Sequence, residues 1–203
     1  MPNAVHFLQS YEKSLCGLCS CLVFFVFLCT KSKEMTVLYL VRHGETVANA
    51  AQILQGQTQG ELNAKGIEQA EEVRDKMRSE RFDAFVASDL RRSVRTCEII
   101  AEPHHQPVVT TRLLRERDWG DFTGKFIPDL RGMSPWPANV ETLEAIKARA
   151  DRFIAWLRAE YADRRVLAVG HGIINKAIQS VYYDKPMGEV PKMGNGEVRI
   201  LNL

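Results

Sequence analysis

The stretch MTVLYLVRHGETVAN, Met35 to Asn49, decides how this chain is read. Its first half, Thr36 to Val41, is short, apolar and rich in β-branched and aromatic residues, which is the composition of a strand buried on both faces. Such strands belong to parallel sheets covered by helices. This one runs straight into Arg42, His43, Gly44 and Glu45. A cation and an imidazole at the end of a buried strand call for partners from elsewhere in the chain, and a glycine beside them lets the backbone turn sharply.

Working outward, strand and helix patterns alternate. Asn63 to Ser79 reads as a helix with Asn63 as its cap and Ile67, Ala70, Val73 and Met77 on one face. Phe82 to Ala87 reads as a second strand, after which Ser88 and Asp89 open a helix to Ala101 with Leu90, Val94, Cys97 and Ala101 on its apolar side. A third strand is expected at Pro107 to Thr111, then a Gly-, Pro- and Trp-rich loop from Asp118 to Asn139. Val140, Leu143, Ile146, Phe153, Ile154 and Leu157 form a helical stripe, RVLAVG (Arg165 to Gly170) a buried strand, and GIINKAIQSV its following helix. The final GEVRILNL, alternating at Val198 and Ile200, reads as an edge strand. This succession predicts an α/β fold, a three-layer α/β/α sandwich on a mostly parallel sheet with an edge strand near the C-terminus. In such a fold ligands bind beyond the carboxyl ends of the strands. Arg42, His43, Ser88, Asp89 and His171 all fall at that edge.

With 203 residues and 45% hydrophobic content, one domain of ordinary size is expected, at residues 35–203. A balance of 27 basic and 25 acidic residues gives a net charge of +2, too weak a field to mark nucleic acid or an anionic membrane as partner. Four of the five cysteines, Cys16, Cys19, Cys21 and Cys29, lie in residues 1–34, within an apolar run from Leu15 to Cys29. That run is shorter than the ~18 to 20 residues that span a bilayer, and it lacks a basic leader and a small-residue cleavage site. Residues 1–34 are therefore read as an extension ahead of the true start at Met35, with a signal or anchor as the alternative; on the first reading the protein is cytoplasmic.

Two histidines, the arginines of DLRRSVR and two helix N-termini at one sheet edge read as a phosphate pocket. A histidine ringed by cations resists protonation and stays nucleophilic, so one of the two can attack phosphorus. Four segments in order, LVRHGET with Asn49, SDLRRSVRT (Ser88 to Thr96), LLRERDWGDFTG (Leu113 to Gly124) and VLAVGHG (Val166 to Gly172), resemble the histidine phosphatase superfamily in its phosphoglycerate-mutase-like branch. LQGQTQGELNAKGIEQA (Leu54 to Ala70) and NVETLEAIKAR, with Glu141 and Arg149, are weaker matches. The resemblance implies His43 as the nucleophile that becomes phosphohistidine, Arg42 and Arg92 as grips on the phosphoryl oxygens and His171 as a protonated donor opposite them. It implies Glu116 as the proton donor, and Asn49, Gln55, Gly56 and Gly172 as further phosphate or substrate contacts. The spacing of the family's arginine after the serine selects Arg92 over Arg91 and Arg95, which are left to the helix surface. A poor alkoxide leaving group needs such an acid, and a neighbouring phosphate dianion favours its protonated form. Two arginines and His171 supply the positive charge that a metal supplies elsewhere, so neither metal nor cofactor is expected.

Other candidates read more plainly. His104 and His105 sit in a Pro-bounded loop without a ligand pattern, Cys97 is a small core residue, and Trp119 and Trp136 either shape the substrate wall or pack. Mutases of the family carry a basic insertion after the glutamate motif and a covering tail. Here Lys125 to Val140 is short, and Gln59 and Glu61 replace the family's usual Asp and Pro. The expectation is a phosphomonoesterase acting on a small phosphorylated metabolite. A cofactor-dependent-type phosphoglycerate mutase is the runner-up, a catalytically silent phosphate-binding module the third reading, and a homodimer is left open.

Overall fold

The structure is a computed structural model that describes residues 35–203; the readings of residues 1–34 fall outside them. Five strands, β1 (Val37–Arg42), β2 (Ala84–Ser88), β3 (Val108–Thr111), β4 (Arg165–Gly170) and β5 (Val198–Asn202), form one sheet in the order β3-β2-β4-β1-β5. All neighbours are parallel except β5, which runs antiparallel on the edge beside β1. Between them lie a single turn α1 (Val47–Ala50) and the helices α2 (Ala64–Met77), α3 (Arg91–Ala101), α4 (Leu143–Glu160) and α5 (Gly172–Tyr182). The expected sandwich is therefore the fold.

Alternation along the strands builds the two cores. Leu38, Leu40, Val86, Val166 and Ala168 face α4 and α5, where Ile146, Phe153, Ile174 and Ile178 meet them. Their neighbours Tyr39, Val41, Phe85, Leu167 and Val169 face α2 and α3, against Val73, Cys97 and Ile100. Each central strand is thus apolar on both sides, which is why these segments read as uninterrupted runs. Cys97 is fully buried, as expected of a core residue, and burial raises its thiol pKa.

Three stripe positions differ from the sequence reading. Ile67, Leu143 and Ile200 are 38%, 46% and 54% exposed. Each lies at the first turn of a helix or on an edge strand, where no opposing layer reaches. In β5 the inward residue is Leu201, fully buried, rather than Ile200. Ser88 closes β2 instead of opening a helix: α3 starts at Arg91 after Leu90, whose side chain gives no cap, and Gln59 Oε1 accepts the Arg91 N–H at 2.8 Å. Gln59, a departure from the family pattern, thus takes up an otherwise unpaired helix N–H.

Gly44 has a role other than a sharp turn. Its φ is not positive; a Cβ there would collide with the backbone of Gly66 in the first turn of α2, and a Cβ on Gly66 would collide with Glu45. The two glycines let the segment after β1 lie directly on the helix. Glu45 completes the joint: its carboxylate accepts from Asn63 Nδ2 at 2.9 Å and pairs with Lys65 at 3.1 Å, and its N–H donates to Gln69 Oε1 at 2.8 Å. Gly66→Ala is expected to lower stability by about 2 kcal/mol, since neither backbone can give way. Urea unfolding measures this, and a loss below about 0.5 kcal/mol would contradict the contact.

Candidate active site

The register of the central strands assembles the site. Arg42 lies opposite Gly170 across β1 and β4, and the His43 N–H donates to the Gly170 carbonyl at 3.1 Å, so His43 and His171 leave the sheet side by side. Their ring centroids are 4.9 Å apart. After β1 the chain passes to α2 on one face and after β4 to α5 on the other. The crevice between them is the point where open α/β sheets bind ligands.

The two imidazoles are opposite tautomers. His43 Nδ1 is 2.7 Å from the Gly44 carbonyl oxygen. A carbonyl only accepts, so Nδ1 carries the hydrogen and Nε2 keeps a free lone pair. At His171, Arg92 Nε–H donates to Nδ1 at 3.2 Å, which leaves the hydrogen on Nε2. Burial first, then the charges of Arg92 and Arg42, holds His43 well below the ordinary imidazole pKa of 6.5. The neutral ring expected from the cations is thus favoured, with desolvation as the larger cause. His171 corrects an expectation: burial, followed by Arg92, His43 and Arg42, lowers its pKa well below 6.5 as well. It is a neutral Nε2–H donor, not an imidazolium.

Arg92 is 1% exposed, with Nη1 donating to Thr58 O at 2.7 Å and Nη2 to Gly56 O at 2.8 Å. Burial lowers its pKa to about 10, which leaves it charged at neutral pH. Gly56, at φ +54°, adopts the left-handed backbone that presents this carbonyl. Arg91 and Arg95 are surface partners of Glu61 and Glu98, as the spacing implied. Asp89, rather than opening a helix, holds Arg115 through two contacts of 2.7 and 2.5 Å. Arg42 donates through Nη1 to Met193 O at 2.7 Å.

Glu116 rests on the N-terminus of α5, accepting from the N–H groups of Ile173 (3.1 and 3.2 Å) and Ile174 (3.3 Å) and from its neighbour Arg117 (2.8 Å). The helix end assigned to phosphate thus also seats the carboxylate. Asn49 closes a capping box on α1 with Thr46, and Gln55 Nε2 donates to Thr46 Oγ1 at 2.8 Å. Eight of the nine expected residues line one cavity of about 250 Å³: Arg42, His43, Asn49, Gln55, Gly56, Arg92, Glu116 and Gly172. The ninth, His171, is fully buried beside His43.

Sequence reasoning missed the rest of the wall, Ile53, Leu54, Ile127, Ile173 and Lys192. No local pattern separates such residues from ordinary loop positions. Of the two tryptophans, Trp119 reaches the cavity, whereas Trp136 packs 5.7 Å from Trp119 across Arg117, whose guanidinium lies 4.6 and 4.9 Å from the two rings. His104 packs against Phe82 and Phe85. Among the described residues no group of three or more His, Cys, Asp or Glu side chains could hold a metal ion.

Three buried polar atoms of the expected residues have no protein partner: Arg42 Nε, His171 Nε2 and Gln55 Oε1. The first two are N–H donors beside a free imidazole lone pair, which is what an anion with several oxygens, attacked at its central atom, requires.

A sequence profile of the histidine phosphatase superfamily (branch 1) matches residues 38–203. A Bacillus subtilis (strain 168) protein named Uncharacterized phosphatase PhoE is 40% identical over 141 residues, 68% of this chain and 72% of its own. A Klebsiella pneumoniae (strain 342) protein named Probable phosphoglycerate mutase GpmB is 34% identical over 152 residues, 68% and 71% of the two chains. The solved structure of a mycobacterial glucosyl-3-phosphoglycerate phosphatase, 26% identical, superposes with a TM-score of 0.73 over 82% of this chain and 92% of that one.

Neutral burial of His43 has a consequence for stability. The unfolded chain takes up a proton at His43 below pH 6.5 and the native chain does not, so stability is held above that value and lost as pH falls through it. His43→Gln removes this contribution, and denaturant unfolding at pH 7.5 and 5.5 should show a smaller acid loss for the variant than for the parent. An equal loss in both would contradict the buried neutral state.

Proposed function

We propose that this chain, which belongs to the histidine phosphatase superfamily, is a phosphomonoesterase that hydrolyses small phosphorylated metabolites through a phosphohistidine on His43. The observation that carries this reading is the neutral His43 with its Nε2 lone pair free beside the unpaired donors of Arg42 and His171. Nε2 attacks phosphorus while the bond to the leaving oxygen breaks, and Arg42, Arg92 and the Nε2–H of His171 hold the non-bridging oxygens as charge builds on them. The ring gains positive charge as the P–N bond forms, and the Gly44 carbonyl on Nδ1–H stabilises it. Glu116 gives a proton to the departing oxygen, then takes one from the water that cleaves the P–N bond and releases phosphate.

Hydrolysis is favoured over phosphoglycerate interconversion by the cavity itself. A mutase must retain its substrate and exclude water, which asks for further cations and a cover. Beyond Arg42 and Arg92, the cation lining this cavity is Lys192, and Ile53, Leu54, Trp119, Ile127 and Ile173 make the rest of the wall largely apolar. Lys125 and Arg131, the cations of the short segment that follows the glutamate motif, do not line it. A silent binding module would have no use for the free nucleophile and the carboxylate together. The proposal includes a domain at residues 35–203 and a cytoplasmic location, where phosphorylated metabolites are confined because their charge keeps them out of bilayers.

Assayed on a panel of phosphorylated metabolites and an aryl phosphate, the protein should release inorganic phosphate, and His43→Ala should lower that rate by about 10³-fold or more. Interconversion of 2- and 3-phosphoglycerate should be slower than phosphate release from either. Faster interconversion would make the protein a mutase, and no phosphate release from any substrate would defeat the enzymatic reading.

A further inference from the structure

The ion pair Glu141–Arg149 lies outside the cavity, yet its contacts converge on the backbone that carries Glu116. Arg149, 8% exposed on α4, uses its guanidinium to the full. Nε donates to Glu141 Oε1 at 3.1 Å and Nη2 to Glu141 Oε2 at 2.7 Å, while Nη1 reaches the carbonyls of Leu113 (3.1 Å) and Arg115, and Nη2 that of Glu116 (3.3 Å). An arginine has five N–H donors in a fixed fork, and these contacts occupy all of them. Glu141 grips the other side of the same turn: Oε2 accepts from the Asp118 N–H at 3.1 Å, its own N–H donates to Asp118 O at 2.9 Å, and its carbonyl accepts from Arg117 Nε at 2.7 Å. Residues 113 to 118 are thereby held along their length, with the acid near their centre. Neither Glu141 nor Arg149 lines the cavity.

We propose that Glu141 and Arg149 are positioning residues that fix the Glu116 carboxylate for proton transfer to the leaving group, an inference that rests on the phosphatase reading above. Arg149 is buried and Glu141 largely covered, and charges withdrawn from water in this way are costly to hold compared with an apolar pair of the same size. Stability alone therefore does not account for the pair, whereas a fixed backbone for a proton donor does. Proton transfer requires the acid within hydrogen-bond reach of the leaving oxygen, and a displacement of about 1 Å costs up to about 100-fold in rate.

The test uses leaving-group dependence. Departure of p-nitrophenolate needs little help from an acid, whereas departure of the alkoxide of glycerol 2-phosphate needs a proton, and kcat/KM reports the steps through that departure. Arg149→Lys and Glu141→Gln are each expected to lower kcat/KM for glycerol 2-phosphate by about 10- to 100-fold and for p-nitrophenyl phosphate by less than about threefold. Both substrates are assayed on one preparation, so a fraction of unfolded protein scales them together and leaves their ratio unchanged. Added to Glu116→Gln, Glu141→Gln should change the ratio no further. An equal fall for both substrates, or a further change in the Glu116→Gln background, would overturn the positioning role. If Glu116→Gln leaves the ratio unaltered, Glu116 is not the acid, and the reading of that residue and this inference fall together; if Glu116→Gln alters it and Arg149→Lys and Glu141→Gln do not, this inference alone fails.

Discussion

The parallel pairing of β1 with β4 is the constraint on which the rest of this molecule depends. With Val37 opposite Arg165 and Arg42 opposite Gly170, the two strands end level, and the residues that follow them leave the sheet as neighbours. A slip of one residue would turn Leu38 and Leu40 from the α4–α5 core into the other layer and reverse every side chain on the strand. The apolar pattern that fixes the two cores therefore also fixes the distance between the two imidazoles. Helices leave β1 and β4 for opposite faces, so the space between them stays open for a ligand.

Into that space the fold places a concentration of buried cationic and imidazole groups. Arg92 is 1% exposed, His43 3% and His171 0%. Their desolvation is tolerated because the surrounding groups are matched to them. Backbone carbonyls take the arginine donors, Gly44 sets one imidazole tautomer and Arg92 sets the other. The outcome is a pair of neutral rings with opposite polarity, one offering a lone pair and one a hydrogen, in a field kept positive by arginines that stay charged. Glu116 meets this field from the side, on the end of α5.

Much of this is legible in the chain. The strand–helix succession, the sheet edge at which the chemistry gathers and the choice of Arg92 over Arg91 and Arg95 all follow from local pattern and motif spacing, because short buried strands and helix starts write their signature within a few residues. The features that local pattern does not carry depend on partners distant in sequence. The state of His171 is set by burial beneath Arg92, 79 residues away, which no motif records. Gly44 has the sequence context of a turn residue, and its actual neighbour is a second glycine on α2. The Glu141–Arg149 pair is visible as a motif match, but its grip on residues 113 to 118 exists only once α4 has docked beside them. The apolar cavity wall is drawn from separate segments, residues 53–54, Trp119, Ile127 and the first turn of α5, which no single period joins.

The contact between Gly44 and Gly66 bears on when the molecule is competent, as well as on how firmly it is packed. The segment that holds His43 is pinned to α2 through backbone contact, through Glu45 and through Gln69, and to α3 through Thr96 Oγ1, which accepts the Gly44 N–H at 3.1 Å. A chain whose sheet has formed but whose α2 has not yet seated lacks the surface that holds the Gly44 carbonyl beneath the imidazole, and with it the control over which nitrogen carries the hydrogen. The hydrogen on His43 Nδ1 thus depends on the seating of α2, and an excursion that lifts α2 from the sheet would release that control while the strands stay paired.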